Sequence, residues 1–138
     1  MVPKIIEECV LNEDVRCFHL NTEISKSVIE RIIRNQDKCS LSEAYKAIGP
    51  IGEKIIQEVM AINGIEHIFI QPFNITVTKG RAFEWKEIEE KILTEILPKA
   101  FSGRQDVEIT YQSGEKRTIQ KSSSAGWEAD ENVLNLLE

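Results

Sequence analysis

Residues 64–79 read GIEHIFIQPFNITVTK, and this stretch decides how the rest of the chain can fold. Residues 65–70 are rich in β-branched and aromatic side chains, and residues 75–79 alternate apolar with polar ones. Both patterns are typical of β-strands. Pro72 lies between them, and because proline has no amide hydrogen to donate to a sheet, it favours the connection. The stretch therefore predicts a β-hairpin.

The second predicted strand has two different faces. Ile75 and Val77 lie on one side, and Thr76 and Thr78 lie on the other, because successive side chains of a strand alternate. An antiparallel sheet commonly turns such an apolar side to a core and such a polar side to solvent. The alternation therefore predicts a sheet with one covered face.

A helix is predicted on each side of this hairpin. Before it, apolar residues recur at helical spacing after Gly49-Pro50, and Gly64 suits the left-handed position that often ends a helix. After it, a second apolar stripe begins at Trp85 and stops at Pro98. The two stripes consist of Ile51, Ile55, Ile56, Val59 and Met60, and of Trp85, Ile88, Ile92, Leu93 and Ile96.

This order of elements resembles the N-terminal domain of Nfu/NifU-like iron–sulfur scaffold proteins. The resemblance depends on Asn63-Gly64-Ile65, on the phrase NITVTK at residues 74–79, and on Glu84-Trp85 at the start of the next helix. It covers roughly the first hundred residues. The resemblance implies a domain that does not carry the cluster and serves docking, stability or target selection. The cluster-binding C-x-x-C of full-length Nfu proteins lies in a separate C-terminal domain, and this sequence has no C-x-x-C.

Residues 21–48 depart most from that family. Residues 2–11 fit a strand or a short helix, of which we favour the strand, and residues 15–20 alternate as a strand does. Ser25 suits the cap of a helix ending near Asn35, and residues 40–43, SLSE, form a capping box for a second helix. We therefore predict a first hairpin followed by a helical insertion at residues 25–48.

A second region is expected after Phe101. Residues 107–111 and 116–120 alternate around a glycine-containing turn, which predicts another hairpin. Residues 122–126 are small and form a predicted flexible connector. The acidic end, from Trp127, either folds back on the domain, which we favour, or serves as a docking peptide. The predicted division is thus 1–103 for the Nfu-like α+β domain and 104–138 for the hairpin and tail.

Composition limits the classes of partner. The chain has 138 residues, a formal net charge of −6 and a pI near 5.1, so binding to a nucleic-acid backbone is not expected, although Lys116-Arg117 with Lys121 could form a local basic patch. No apolar run reaches the ~20 residues that cross a bilayer. We therefore expect a cytoplasmic protein with no membrane and no nucleic-acid partner.

Few residues have the pattern of a catalytic or metal site. His19 and His67 lie in predicted strands without a catalytic motif beside them, and no glycine-rich phosphate loop is present. Cys9, Cys17 and Cys39 are too widely spaced for a typical zinc or iron–sulfur motif. We therefore predict no catalytic residues, no cofactor and no metal. One alternative is a metal site or a thiolate–imidazole pair at Cys17 and His19, which share a strand face.

The acidic helix after the hairpin is interpreted as a solvated face. Ion pairs four residues apart, such as Glu87 with Lys91, would stabilise it. Trp85 could anchor a ligand pocket, but we favour a role in packing this helix onto the sheet.

The sequence thus predicts a two-layer α+β sandwich in which helices cover one face of a small, mostly antiparallel sheet. We expect a non-enzymatic adaptor related to iron–sulfur cluster assembly or delivery, which binds assembly or client proteins. The predicted contact residues are Thr76, Thr78, Lys79 and Trp127. The alternatives are a small thiol-dependent redox protein or enzyme using Cys17 with His19, which requires a lowered Cys17 pKa, and direct metal or cluster binding through cysteines.

Overall fold

A computed structural model describes residues 2–102 and 106–120. Within this part of the chain, seven strands form one sheet in the order β3-β4-β5-β2-β1-β6-β7. Neighbouring strands are antiparallel except β1 and β6, which are parallel. The strands are β1 (Lys4–Cys9), β2 (Val15–Leu20), β3 (Glu30–Ile33), β4 (Ile65–Gln71), β5 (Asn74–Lys79), β6 (Val107–Thr110) and β7 (Lys116–Ile119).

Helices pack against one face of this sheet. They are α1 (Lys38–Ile48), α2 (Pro50–Met60) and α3 (Trp85–Glu90), and α3 continues as a π-helical segment over Lys91–Ile96 and a 3₁₀ turn over Leu97–Ala100. One hydrophobic cluster fills the space between the two layers and includes Phe18, Ile75 and Val77, each fully buried. The two-layer α+β sandwich predicted from the sequence is therefore confirmed.

The hairpin of residues 64–79 forms as predicted. Strands β4 and β5 pair in antiparallel register, and Pro72 and Phe73 make the connection. Gly64 has a φ of 96°, and a Cβ at this position would come within 2.4 Å of the Phe83 ring. Glycine is therefore required here both by backbone conformation and by the close approach of Phe83.

Residues 25–35 do not form the predicted helix. The structure has strand β3 there, which pairs with β4 and buries only Ile32, whereas Val28 and Ile29 are exposed. Two features favour the strand. The Ser25 hydroxyl bonds to the backbone of Ser27, which competes with a helical start, and β4 offers an unpaired edge that satisfies the backbone of β3.

The second predicted helix of this insertion forms but begins earlier than expected. Helix α1 starts at Lys38, and the Asp37 side chain accepts a hydrogen bond from the Ser40 amide over 2.9 Å. The residue that caps the helix is therefore Asp37, and Ser40 lies inside the first turn.

The C-terminal hairpin forms as predicted and extends the same sheet. Strand β6 pairs with β1, and its Val107 and Ile109 are fully buried in the common hydrophobic cluster. The division at residue 103 stays a prediction. The connector and the acidic end with Trp127 lie outside the described residues.

Candidate functional site

The face of the sheet opposite the helices carries short polar side chains at its centre. Strand alternation places Asn74, Thr76 and Thr78 of β5 on this face, and all three are half-buried. The same face carries Phe69 of β4, which is half-buried, and Ile6 of β1, which is exposed. We call this surface the open face, because no helix of the described residues packs on it.

Three side chains with potential ligand atoms come together on the open face. Glu8 of β1 lies opposite Cys17 of β2, and His19 follows two residues after Cys17 on the same face. One carboxylate oxygen of Glu8, the sulfur of Cys17 and one ring nitrogen of His19 lie within 4.8 Å of one another. The Oε1 atom of Glu8 is 2.7 Å from His19 Nε2.

The surroundings of Cys17 disfavour its thiolate form. Burial raises the pKa of the Cys17 thiol above its ordinary value, and the negative charge of Glu8 adds to the rise, although the hydroxyl of Thr76, which donates to the sulfur over 3.5 Å, opposes it. A nucleophilic or redox-active thiol needs a lowered pKa. The direction of this shift is opposite to the one that the alternative thiol-dependent redox hypothesis requires.

The predicted contact residues do not all lie on one surface. Thr76 and Thr78 lie on the open face, whereas Lys79 points to the helix side, where it is buried and its Nζ donates to Asp14 over 2.9 Å. Strand β5 is also internal to the sheet and offers no free edge. Thr76 and Thr78 therefore stay candidates for partner contact, and the Lys79 side chain does not reach the open face.

Trp85 and His67 lie outside this group of potential ligands. Trp85 is buried, packs 6.5 Å from the Phe18 ring centre, and donates its indole N–H to the Glu13 carbonyl, so the predicted packing role is confirmed. His67 lies on the open-face side of β4, with its ring centre 6.0 Å from that of Phe69 and the two rings nearly perpendicular.

The sequence did not predict a partly buried charged cluster under α3. Arg16 of β2 forms ion pairs with Glu7 of β1 and with Glu89 of α3, and its guanidinium lies 5.0 Å from the Trp85 ring centre. Strand alternation could have indicated this cluster, because Glu7 falls on the same face as Ile5. Glu89 and Glu90 of α3 pair with arginines of β2 and β7, and no Glu87–Lys91 ion pair occurs in the part of the chain that the structure describes.

The comparison with known families decides the relationship. The model for the family described as "Scaffold protein Nfu/NifU N terminal" matches residues 11–103, which is about two thirds of the chain. The chain belongs to this family. Membership confirms the resemblance expected from the sequence and supports a role of this Nfu-type domain that is related to iron–sulfur cluster scaffolding.

One solved structure is similar to this Nfu-type chain. The crystal structure of protein SAV1430 from Staphylococcus aureus is 16% identical, has a TM-score of 0.48, and the match covers 67% of this chain and 94% of that one. No curated protein matches the chain. Among the described residues, no helix is long and apolar enough to cross a membrane.

The cysteines of this Nfu-type chain do not fit an iron–sulfur cluster within one copy. Such clusters are held by about four cysteine thiolates. Cys9, Cys17 and Cys39 are free, and among the described residues the single group of three or more potential ligands contains only one of them, Cys17. The three cysteines of one copy are therefore not arranged to hold such a cluster together.

Proposed function

We propose that this chain is a non-enzymatic adaptor of iron–sulfur cluster assembly or delivery, which binds a partner protein through the open face and does not carry the cluster itself. The observation that carries the proposal is the one-sided cover of the sheet. Helices cover only one face in the described structure, and the central strands present Asn74, Thr76 and Thr78 to the other.

The composition of the open face supports protein contact. Phe69, with Arg31 stacked 6.0 Å from its ring centre, provides an aromatic element on one side of the threonines, and the exposed Ile6 provides an aliphatic one on the other. Protein interfaces commonly combine aromatic and arginine side chains with short polar groups. Family membership points to iron–sulfur assembly or client proteins as the partners.

The chemistry of the open face also supports binding rather than catalysis. The Cys17 side chain on this face is mainly the neutral thiol, because burial raises its pKa. The histidine on this face contacts Glu8. An activated cysteine nucleophile would need a lowered pKa, which is the opposite of the shift at Cys17.

Site-directed photocrosslinking in the native cell tests the proposal. A photoreactive amino acid replaces Thr78 on the open face, and in a matched control it replaces Glu43, which is exposed on α1. We expect the Thr78 probe to crosslink to a cysteine desulfurase, a scaffold protein or a cluster-containing client, and the Glu43 probe to give no such product.

The affinity of variants for the captured protein gives a quantitative test. Thr78→Lys should weaken binding of the captured protein by about tenfold or more, as expected for a contact near the centre of an interface. Glu43→Lys should leave the affinity unchanged. Crosslinks from Glu43 alone, or products that contain no iron–sulfur protein, would contradict the proposal. Trp127→Ala tests separately whether the acidic end adds affinity.

A further inference from the structure

The group formed by Glu8, Cys17 and His19 has a chemistry that the adaptor role does not use. A carboxylate, a thiol and an imidazole from two adjacent strands place one ligand atom each within 4.8 Å of the others. Each side chain type is a ligand of transition metals in proteins. The group is on the open face, and the side chains of Glu8 and His19 are 57% and 43% exposed, so an ion can reach it from solvent.

We propose that Glu8, Cys17 and His19 bind one divalent transition metal ion of the Zn²⁺ class, with the fourth position open to solvent. This inference goes beyond the proposed adaptor function and does not depend on it.

The distances allow such an ion with small movements. Metal–ligand bonds of about 2.0–2.3 Å place neighbouring ligands of a tetrahedral site about 3.3–3.8 Å apart. The three ligand atoms lie within 4.8 Å of one another, so an ion would require shifts of roughly 1 Å or less in each. Exposed ends of glutamate and histidine side chains can move this far without disturbing the sheet.

Strand β5 contributes side chains that lie beside two of the proposed ligands. Cys17 lies opposite Thr76, and His19 lies opposite Asn74, in the antiparallel register of β2 and β5. The Thr76 hydroxyl donates to the Cys17 sulfur over 3.5 Å, and the amide oxygen of Asn74 is 4.0 Å from the same atom. Hydrogen bonds to ligating atoms of this kind orient them and tune the affinity for a metal.

The ligand types select the kind of ion. One sulfur, one imidazole nitrogen and one carboxylate oxygen suit Zn²⁺ and related ions, whereas Mg²⁺ and Ca²⁺ prefer oxygen ligands alone. On binding, the Cys17 thiol releases its proton to solvent, and the sulfur electron pair forms the bond to the metal. A single thiolate distinguishes this site from a cluster site, which needs several.

Metal titration of the full-length chain without an affinity tag tests the proposal. We expect isothermal titration with Zn²⁺ to give one ion per chain, and Mg²⁺ to give no heat of binding. With Co²⁺ as a spectroscopic substitute, we expect the charge-transfer absorption that marks a thiolate ligand. Zn²⁺ should also raise the midpoint of thermal unfolding, because the ion binds the folded state.

Substitutions assign the ligands. Cys17→Ser should abolish the charge-transfer absorption, and Glu8→Gln and His19→Gln should each weaken Zn²⁺ binding by about tenfold or more. Glu8 and His19 are exposed enough that these two variants should fold even if Cys17→Ser does not, and circular dichroism checks this. The matched control is Cys39→Ser, an exposed cysteine on α1, which should bind as the unmodified chain does.

Three results would overturn the proposal: no saturable binding of Zn²⁺ by the full chain, unchanged affinity in folded Glu8→Gln and His19→Gln variants, or charge-transfer absorption that survives in Cys17→Ser and is lost in Cys39→Ser. Failure of the photocrosslinking experiment would leave these measurements unaffected, because they need no partner protein.

Discussion

Glu89 is a carboxyl group whose ionisation changes on folding. Its pKa is raised from 4.5 to about 7, first because it is partly buried and then because Glu7 lies beside it as a hydrogen-bond partner and a negative charge. Arg16 contacts both carboxylates and opposes the rise. The two acids therefore compete for one guanidinium, and folding shifts Glu89 toward its protonated form.

This arrangement predicts how stability depends on pH. A raised pKa contributes stability that is fully present below pH 4.5 and is lost as the pH rises to about 7. Glu89→Gln keeps a neutral side chain at every pH, so urea unfolding of this variant should lose less stability across that interval than the unmodified chain. Glu87→Gln, an exposed position on the same helix, is the control and should follow the unmodified curve. Parallel curves for all three proteins would show that Glu89 is ionised normally.

Single residues also show what strand alternation can predict. The period of two assigned Ile75 and Val77 to the core and Thr76 and Thr78 to the open face, and the structure agrees. The same period places Lys79 on the core side, but its charge favoured a surface position in the sequence interpretation. Asp14, which neutralises Lys79, is far away in the sequence, so the pairing is visible only in the folded chain.

At the scale of elements, β3 is a strand where the sequence predicted a helix. Val28, Ile29, Ile32 and Ile33 have helical spacing, but the strand buries only one of them, Ile32. The segment forms a strand for a long-range reason. Strand β4 supplies hydrogen-bond partners for its backbone, and no local sequence pattern reveals them. The helices on each side of the hairpin were predictable because their stripes are long and end at glycine or proline.

Truncation of the two isoleucines distinguishes a strand from a helix in this segment. Ile32→Ala should destabilise the protein by about 2–4 kcal/mol, because it leaves a cavity in the core. Ile29→Ala, at a position that is 52% exposed, should change stability by less than about 0.5 kcal/mol. Chemical unfolding measures both. Equal, large losses would indicate the amphipathic helix in which both side chains are buried.

At the scale of the whole molecule, hydrogen bonds and an ion pair connect the C-terminal hairpin to α3 and to β1. The Tyr111 hydroxyl donates to Glu90 over 2.7 Å, and Arg117 lies 3.1 Å from the same carboxylate. The amide of Gln112 donates to the buried Glu7 over 3.0 Å. These bonds pair Arg117, part of the predicted basic patch, with an acid of α3. They also join regions that the sequence interpretation had divided at residue 103.

Hydrogen exchange can measure how much these contacts contribute to the stability of the hairpin. Tyr111→Phe keeps the shape of the ring but removes the hydroxyl that donates to Glu90 and accepts from Arg117 over 3.5 Å, and it should cost about 0.5–1.5 kcal/mol. We expect faster amide exchange in β6 and β7, and unchanged exchange in β4 and β5 on the far side of the sheet. Lys116→Gln on β7, which removes a charge outside this network, is the control. Acceleration spread evenly over all strands would mean that the hairpin does not open separately.

The described sheet ends on both sides in strands of only four residues, β3 and β7. Arg31 lies in one and Lys116 and Arg117 lie in the other. Short edge strands that carry charged side chains give an incoming backbone little to pair with. Copies of this protein should therefore not lengthen into fibrils by adding strand to strand, even when it is concentrated.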